Sequence, residues 1–192
     1  MKNINLPKLK DAFCCDNLFV GTDVFGENLI PNITGNDKKA IKNINALLAT
    51  RSVRHNMDKI VLFHGTAKRH NISNEGVKRT TSKTKRSAQS RPGRVSLSLY
   101  PDHAKLFASL GYPDEEVEVY AVCVPFFSLI ADTDQLSNRR RALTETGNAE
   151  MAHNIKNSLA HSFLHGSGAW LKRDVEPYEV RPLSLFMDDD ND

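Results

Sequence analysis

The sequence predicts a mixed α+β fold. Apolar residues recur at helical spacing near residues 37–50 and 149–165, whereas residues 95–99 and 117–124 alternate as strands do. These segments do not follow a regular β-α-β order, so we expect α+β architecture and not a doubly wound parallel sheet.

The chain has 192 residues, of which 40% are hydrophobic, enough for one well-buried core. Residues 1–36 are rich in Asn, Gly, Pro and Asp, without sustained periodicity, and predict an irregular arm that packs by a few anchors such as Leu18–Val20. We expect residues 37–187 to form a single domain. Residues 188–192 form an acidic tail.

In the first half of the domain, Ile41, Ile44 and Leu48 predict a helix that Asn36-Asp37 caps. The elements expected here are a helix over 37–50, a short apolar strand over 59–64, and a helical turn over 72–76 that glycine ends.

In the second half, Pro101 is suited to the first turn of a helix, in which Ala104, Phe107 and Ala108 would point inward. The elements expected are strands over 95–99 and 117–124, a cap or turn over 132–135, one helix over 149–165 and last strands at 170–171 and 180–186.

The formal charge is +3, but it is distributed unevenly. Without Asp188, Asp189, Asp190 and Asp192, 26 basic residues face 19 acidic ones, a net charge of +7. Residues 78–94 hold seven basic residues and no acidic one. Such a stretch is either a solvated loop or a binding site for a polyanion.

Several classes of protein are disfavoured. Three cysteines without paired spacing predict a reduced, cytoplasmic setting, and no secretory signal or membrane-spanning run is visible. His161 and His165 share a helical face, yet no further ligand stands at metal-binding spacing, so we expect no metal site. The motifs of hydrolases, P-loop NTPases and Rossmann proteins do not occur.

Three segments carry the functional signal. Residues 61–66 read VLFHGT, with ISNEG at 72–76; residues 94–104 read RVSLSLYPDHA; residues 166–171 read GSGAWL. They resemble the motifs of the ADP-ribosyltransferase superfamily, in which HGT and I..EG are followed by YL(S/T)..P..A and by a late strand opening with GE(Y/W)(L/V).

The resemblance implies an ADP-ribosyltransferase-like split β-sandwich with flanking helices, which binds NAD as substrate in a cleft between two small sheets. His64 would hydrogen-bond the adenosine ribose, the bare backbone of Gly65 would hold the nicotinamide amide, and Thr66 would support that turn. Ser96, Leu97 and Ser98 would line the cofactor.

The chain departs from the family at two positions. Ser96 replaces the aromatic ring that stacks on nicotinamide, and Tyr100 or Phe107 would have to supply that ring. Ala169 replaces the glutamate whose charge stabilises the oxocarbenium-like centre of the ribose.

The missing glutamate has two explanations: it is absent by nature, or a toxic enzyme was inactivated by a Glu-to-Ala change. We favour inactivation, because alanine gives an exposed strand entrance no structural gain. Glu176 or Glu179 taking its place is a third reading, with Glu145 and Glu150 as further candidates.

The resemblance therefore implies transfer of ADP-ribose from NAD to a macromolecule, as in toxins of toxin–antitoxin or phage-defence systems. We expect the acceptor to be RNA, held by Lys83, Lys85, Arg86, Arg91 and Arg94, with protein or DNA next. An antitoxin is a possible partner, and no membrane is expected.

One alternative is an RNA 2′-phosphotransferase-like enzyme, whose HVHLS motif resembles Arg94–Ser98 but requires a histidine at Ser96. The other is a non-catalytic binding member of the fold.

Overall fold

A computed structural model of the chain describes residues 4–14, 18–20, 37–49, 58–79 and 92–187. Its strands are β1 (Leu18–Val20), β2 (Lys59–Ala67), β3 (Val95–Ser98), β4 (Val117–Pro125), β5 (Leu129–Ala131), β6 (Gly168–Leu171) and β7 (Val180–Pro182). Its helices are α1 (Leu6–Ala12), α2 (Asp37–Leu48), α3 (Ile72–Glu75), α4 (Pro101–Gly111), α5 (Thr133–Glu145), α6 (Ala149–Asn154) and α7 (Leu159–Gly166).

The protein has the α+β architecture that the sequence predicted. Six strands pair antiparallel in the order β5-β6-β3-β2-β4-β7, and β1 lies parallel to the start of β2. The longest ladder joins β2 to β4 through nine residue pairs, so these two strands form the centre of the sheet.

Apolar layers cover both faces of this sheet. Ile60 and Leu62 of β2 lie on the first face, with α2 and α7, while Val61 and Phe63 lie on the second face, with α1 and α4. All four side chains are fully buried. A central strand buried on both faces is consistent with its nearly continuous apolar sequence.

The N-terminal arm, which was expected to be irregular with an anchor at Leu18–Val20, contains the helix α1 and a strand at that anchor. Asn5 caps α1 by accepting a hydrogen bond from the Lys8 main chain at 3.0 Å, and Leu9 is fully buried on the second face. Leu18–Val20 adds a strand to the sheet. The boundary at residue 36 and the tail over 188–192 lie outside the described residues.

The helix expected over residues 149–165 is two helices. Ile155 is buried in an extended conformation between α6 and α7, and Arg140 donates to its carbonyl oxygen at 3.2 Å. Ser158 then caps α7 by accepting from the His161 main chain at 3.3 Å. The apolar spacing continues across the break, because Ile155 and Phe163 are both buried although only Phe163 lies on a helix.

Two other expectations need correction. The cap expected at Asp132 begins a helix of 13 residues, α5, which the sequence analysis missed because its buried side chains are only Leu136 and Leu143. The last strand ends at Pro182, and Leu183–Phe186 is a 3₁₀ turn.

Candidate functional site

The two edges of β2 differ at His64. Towards β4 the ladder runs unbroken from Lys59 to Ala67, but towards β3 the ladder contains one pair, Phe63 with Ser98. The same register, continued, would set Gly65 opposite Ser96. Instead His64 Nδ1 donates to the main-chain oxygen of Ser96 at 3.0 Å. We call this divergence of β2 and β3, at His64, Gly65 and Ser96, the seam.

His64 at the seam is neutral near pH 7. Burial lowers its pKa from the usual value, and the nearby imidazole of His70 lowers it further, while the hydrogen bond to Ser96 opposes both effects. With Nδ1 carrying the proton, Nε2 is a hydrogen-bond acceptor suited to a hydroxyl group.

Gly65 is required by packing against α4. A β-carbon there would lie 2.2 Å from the main-chain oxygen of Ala104 and 2.9 Å from Cβ of Ala108. Gly65 and Thr66 do not form a turn, because β2 continues through Ala67. Thr66 is buried opposite Glu118 on β4, so its expected role in supporting a turn is wrong.

Ser96 connects the seam to the one tryptophan of the chain. Trp170 lies opposite Ser96 on β6, is 1% exposed, and donates from Nε1 to the Ser96 hydroxyl oxygen at 3.1 Å. The guanidinium carbon of Arg94 lies 4.2 Å from the centre of the indole ring. This contact holds a cation beside the hydroxyl of Ser96.

Ala169 does not lie at an exposed strand entrance. It is fully buried in the first apolar face, paired with Leu97 on β3 and with Ala131 on β5. A glutamate there would place a carboxylate in an apolar core. The premise on which we favoured a Glu-to-Ala inactivation is therefore wrong, since alanine fits this core position.

The other residues expected to line the cofactor are held by contacts of their own. Leu97 is buried in the first face. Ser98 connects the end of β3 to the residue before β6, donating to the Ser167 carbonyl oxygen and accepting from the Tyr100 main chain, each at 3.2 Å. Half-buried Tyr100 contacts His103 edge-on, with ring centres 5.2 Å apart.

Phe107 does not point inward as predicted. Ala104 and Ala108 are the buried residues of α4, whereas Phe107 is 45% exposed on the outer part of the helix, as are Leu106 and Leu110. Phe107 is therefore not a core residue of α4.

Of the alternative glutamates, Glu179 has a structural role. Glu179 accepts two bonds of 2.6 Å from Arg173 and one of 3.1 Å from the Glu176 main chain. Glu145 is exposed at the end of α5, and Glu150 lies in the first turn of α6, as its sequence context predicted.

Of the expected nucleic-acid contacts, only Arg94 falls within the described residues; Lys83, Lys85, Arg86 and Arg91 lie outside them. His161 and His165 stack with ring centres 5.6 Å apart, and the described part of the chain contains no group of three or more side chains placed to hold a metal ion. None of the described helices has the length and apolar character needed to cross a membrane.

Sequence reasoning missed Trp170 and His70 as neighbours of the seam. Trp170 directly follows Ala169 of the third motif, so the sequence drew attention to it. The face of the sheet on which its side chain lies could not be predicted. His70 gave no such signal, because its proximity to His64 arises from the fold of the loop after β2.

Comparison of the chain with protein-family models, with curated proteins and with solved structures finds no match.

Proposed function

We propose that the chain is an NAD-dependent transferase of the ADP-ribosyltransferase type that acts on RNA. The observation that carries this proposal is the seam itself. The three motifs, separated by up to about a hundred residues in sequence, lie on the adjacent strands β2, β3 and β6. A split β-sandwich needs such a place where neighbouring strands part.

The seam provides groups that a dinucleotide uses, with the His64 side chain on the face of Ile60 and Leu62 and the Ser96 hydroxyl on the opposite face of the sheet. Nε2 of neutral His64 accepts a hydrogen bond, as a ribose hydroxyl requires. The Ser96 hydroxyl receives the Trp170 N–H and keeps its own proton for an acceptor. Arg94 adds a positive charge suited to phosphate.

RNA is the favoured macromolecule because of the charge around the ends of the basic segment. Arg79 donates to the Lys172 carbonyl oxygen at 3.2 Å, and the β3–β6 register, continued by one residue, brings Arg94 opposite Lys172. Lys78 and Lys172 are exposed there. The segment thus begins and ends beside β6, where phosphates would meet several cations.

A second reaction, RNA 2′-phosphotransfer, is favoured by one observation. Ala169 belongs to the apolar core, so a chemistry that does not require glutamate at that position suits this chain. Ser96 in place of the histidine of that branch remains a departure, while Arg94, stacked on Trp170, supplies a positive charge that suits a phosphate.

The toxin role and an antitoxin partner are proposals that have their support in the resemblance. A cytoplasmic location is proposed from the three cysteines, which have no paired spacing in the sequence.

The proposal is tested with two labelled substrates. One is NAD labelled in its ADP-ribose part, offered with RNA, DNA and protein extract; the other is RNA carrying a labelled 2′-phosphate, offered with NAD. Label moving from NAD to RNA establishes ADP-ribosyl transfer, and NAD-dependent loss of the 2′-phosphate establishes the second reaction.

Ala169→Glu is the informative variant in both assays. We expect it to be less stable than the wild type and to gain no activity, because its carboxylate would enter the core. Label transfer by the Ala169→Glu variant alone would instead support an inactivated enzyme. No reaction and no nicotinamide release with any acceptor would contradict the proposed function.

A further inference from the structure

The first face of the sheet carries polar side chains next to His64. Across the β2–β4 ladder His64 lies opposite Tyr120, and Thr66 lies opposite Glu118. Residues directly opposite in an antiparallel pair point to the same face, as do alternate residues of one strand. Tyr120 belongs to the apolar layer of the first face. The side chains of His64, Tyr120 and Glu118 therefore leave the sheet on the same side.

The separation of His64 and Glu118 follows from this register. They are diagonal neighbours across the ladder, and the β-carbons of such neighbours lie about 7 Å apart. Both side chains are partly exposed, whereas Tyr120, opposite His64, is 3% exposed. A ligand that meets the imidazole on the first face is thus within reach of the Glu118 carboxylate.

Tyr120 holds this carboxylate in place. Its phenolic hydroxyl donates to Glu118 Oε2 at 2.7 Å. Burial, together with the hydrogen bond to the carboxylate, raises the pKa of Tyr120 to about 12, so the phenol keeps the proton that it donates. The Tyr120 ring is packed in the first apolar layer. The donor that orients Glu118 is therefore itself fixed by the core.

The bond from Tyr120 uses only part of the acceptor capacity of Glu118. The two oxygens of an ionised carboxylate offer about four lone-pair sites. Among the described residues Glu118 forms no ion pair, since the amine of the nearby Lys68 bonds to Glu116 at 2.9 Å. Lone pairs of Glu118 thus remain for a ligand that donates hydrogen bonds.

Two acceptors on one face match a ligand with two neighbouring donors. Neutral His64 accepts through Nε2, and Glu118 accepts through its carboxylate. The adjacent 2′ and 3′ hydroxyls of a ribose donate one hydrogen bond each. Two bonds of about 2.8 Å, with the diol between them, bridge the separation of the two side chains. A phosphate offers no such donors and is repelled by the carboxylate.

We propose that His64 and Glu118 form a ribose subsite on the first face, in which each accepts a hydrogen bond from one hydroxyl of the adenosine ribose of NAD. Tyr120 is the positioning residue for the carboxylate. The inference rests on the proposed function. The Ser96 hydroxyl, on the opposite face of the sheet, takes no part in this subsite.

The test is a calorimetric titration of two ligands, NAD and an NAD analogue whose adenosine ribose is 2′,3′-dideoxy. The proteins are the wild type, Glu118→Ala, Tyr120→Phe and Glu116→Ala. Glu116 is the matched control, because it is a glutamate two residues from Glu118 that lies before β4 and is paired with Lys68.

We expect Glu118→Ala to bind NAD about tenfold more weakly than the wild type and to bind the dideoxy analogue as the wild type does. Tyr120→Phe should show a smaller loss, again confined to NAD, and Glu116→Ala should bind both ligands as the wild type does. A damaged fold would weaken the binding of both ligands, so a loss confined to NAD identifies the diol contact.

Two results would overturn the subsite while NAD still binds to the wild type. One is affinity of Glu118→Ala for NAD within about twofold of the wild type, and the other is an equal loss for both ligands. Failure of the proposed function looks different, because the wild type itself would then bind neither ligand.

Discussion

The two halves of the sheet on either side of the seam are built differently. The β2–β4 half is joined by nine residue pairs, and Ile60, Val61, Leu62 and Phe63 bury both of its faces. The β5-β6-β3 half consists of strands of three or four residues, joined to β2 by one pair. The first half has an apolar layer on both faces, whereas the second half carries the Ser96 hydroxyl beside Trp170 on one face.

The two halves of the sheet therefore differ in the substitutions that they tolerate. A residue of the β2–β4 half is constrained by packing on both sides, as Gly65 is by Ala104. In the β5-β6-β3 half, Ser96 and Asp132 are held by hydrogen bonds. A substitution of one or two atoms can remove these bonds without leaving a large cavity in the core.

Trp170→Ala should have the largest effect, because Trp170 is among the largest fully buried side chains of the described residues. Removing a fully buried tryptophan is expected to lower the free energy of unfolding by about 4 kcal/mol. Urea denaturation measures it. Trp170→Phe is the control and should cost less, since it keeps most of the ring volume. Equal losses for Ala and Phe would mean that the N–H bond to Ser96, and not packing, holds the strand.

Gly65→Ala should cost about 3 kcal/mol, because its β-carbon would overlap the Ala104 carbonyl oxygen and force α4 away from β2. Gly111→Ala is the matched control, since a β-carbon at position 111 meets no atom within 4 Å. Denaturation midpoints of the two variants that coincide would show that α4 is not packed on β2 as described.

Asp132→Asn should raise stability at neutral pH by about 2 kcal/mol. In the folded protein the pKa of Asp132 is raised from 3.8 to about 6. Between these two pH values Asp132 is therefore protonated more often in the folded protein than in the unfolded chain. Ionisation of Asp132 therefore lowers stability as pH rises through this window, and the cost is fully present above it.

Urea denaturation of the wild type and Asp132→Asn at about pH 8 and about pH 3 checks this, since these values lie on either side of the window. The advantage of the variant should be present on the alkaline side and shrink towards zero on the acid side. If Asp132→Asn were less stable than the wild type on the alkaline side, the charge of Asp132 would stabilise the fold, and its ionisation would not lower the free energy of unfolding.

Ser96→Ala should have the smallest effect, about 1 kcal/mol, because it removes the acceptor of the buried Trp170 N–H and little volume. Ser96→Thr keeps the hydroxyl and serves as the control. A loss in Ser96→Thr as large as in Ser96→Ala would attribute the effect to packing of β3.

The sequence predicted the α+β class and most element positions, because the apolar spacing of α2, β2, β4 and α4 is strong. It missed α5, whose 13 residues bury only Leu136 and Leu143, so that no apolar stripe marks it.

The direction of position 169 could not be predicted for a related reason. All four residues of β6 are buried, so its pattern contains no alternation from which to assign a face. Its pairing with Leu97 decides the face, and that pairing depends on residues far away in the sequence. The proximity of Asp132 to Arg94 has the same origin in tertiary packing.

The most direct test of the central claim, that the seam binds NAD, is a calorimetric titration of NAD into the wild type, His64→Ala and His153→Ala. His153 is an exposed histidine on α6 and serves as the control. We predict that the wild type and His153→Ala bind alike and that His64→Ala binds at least about tenfold more weakly, the equivalent of one hydrogen bond. Absence of binding to the wild type, or equal affinity in His64→Ala, would contradict the account.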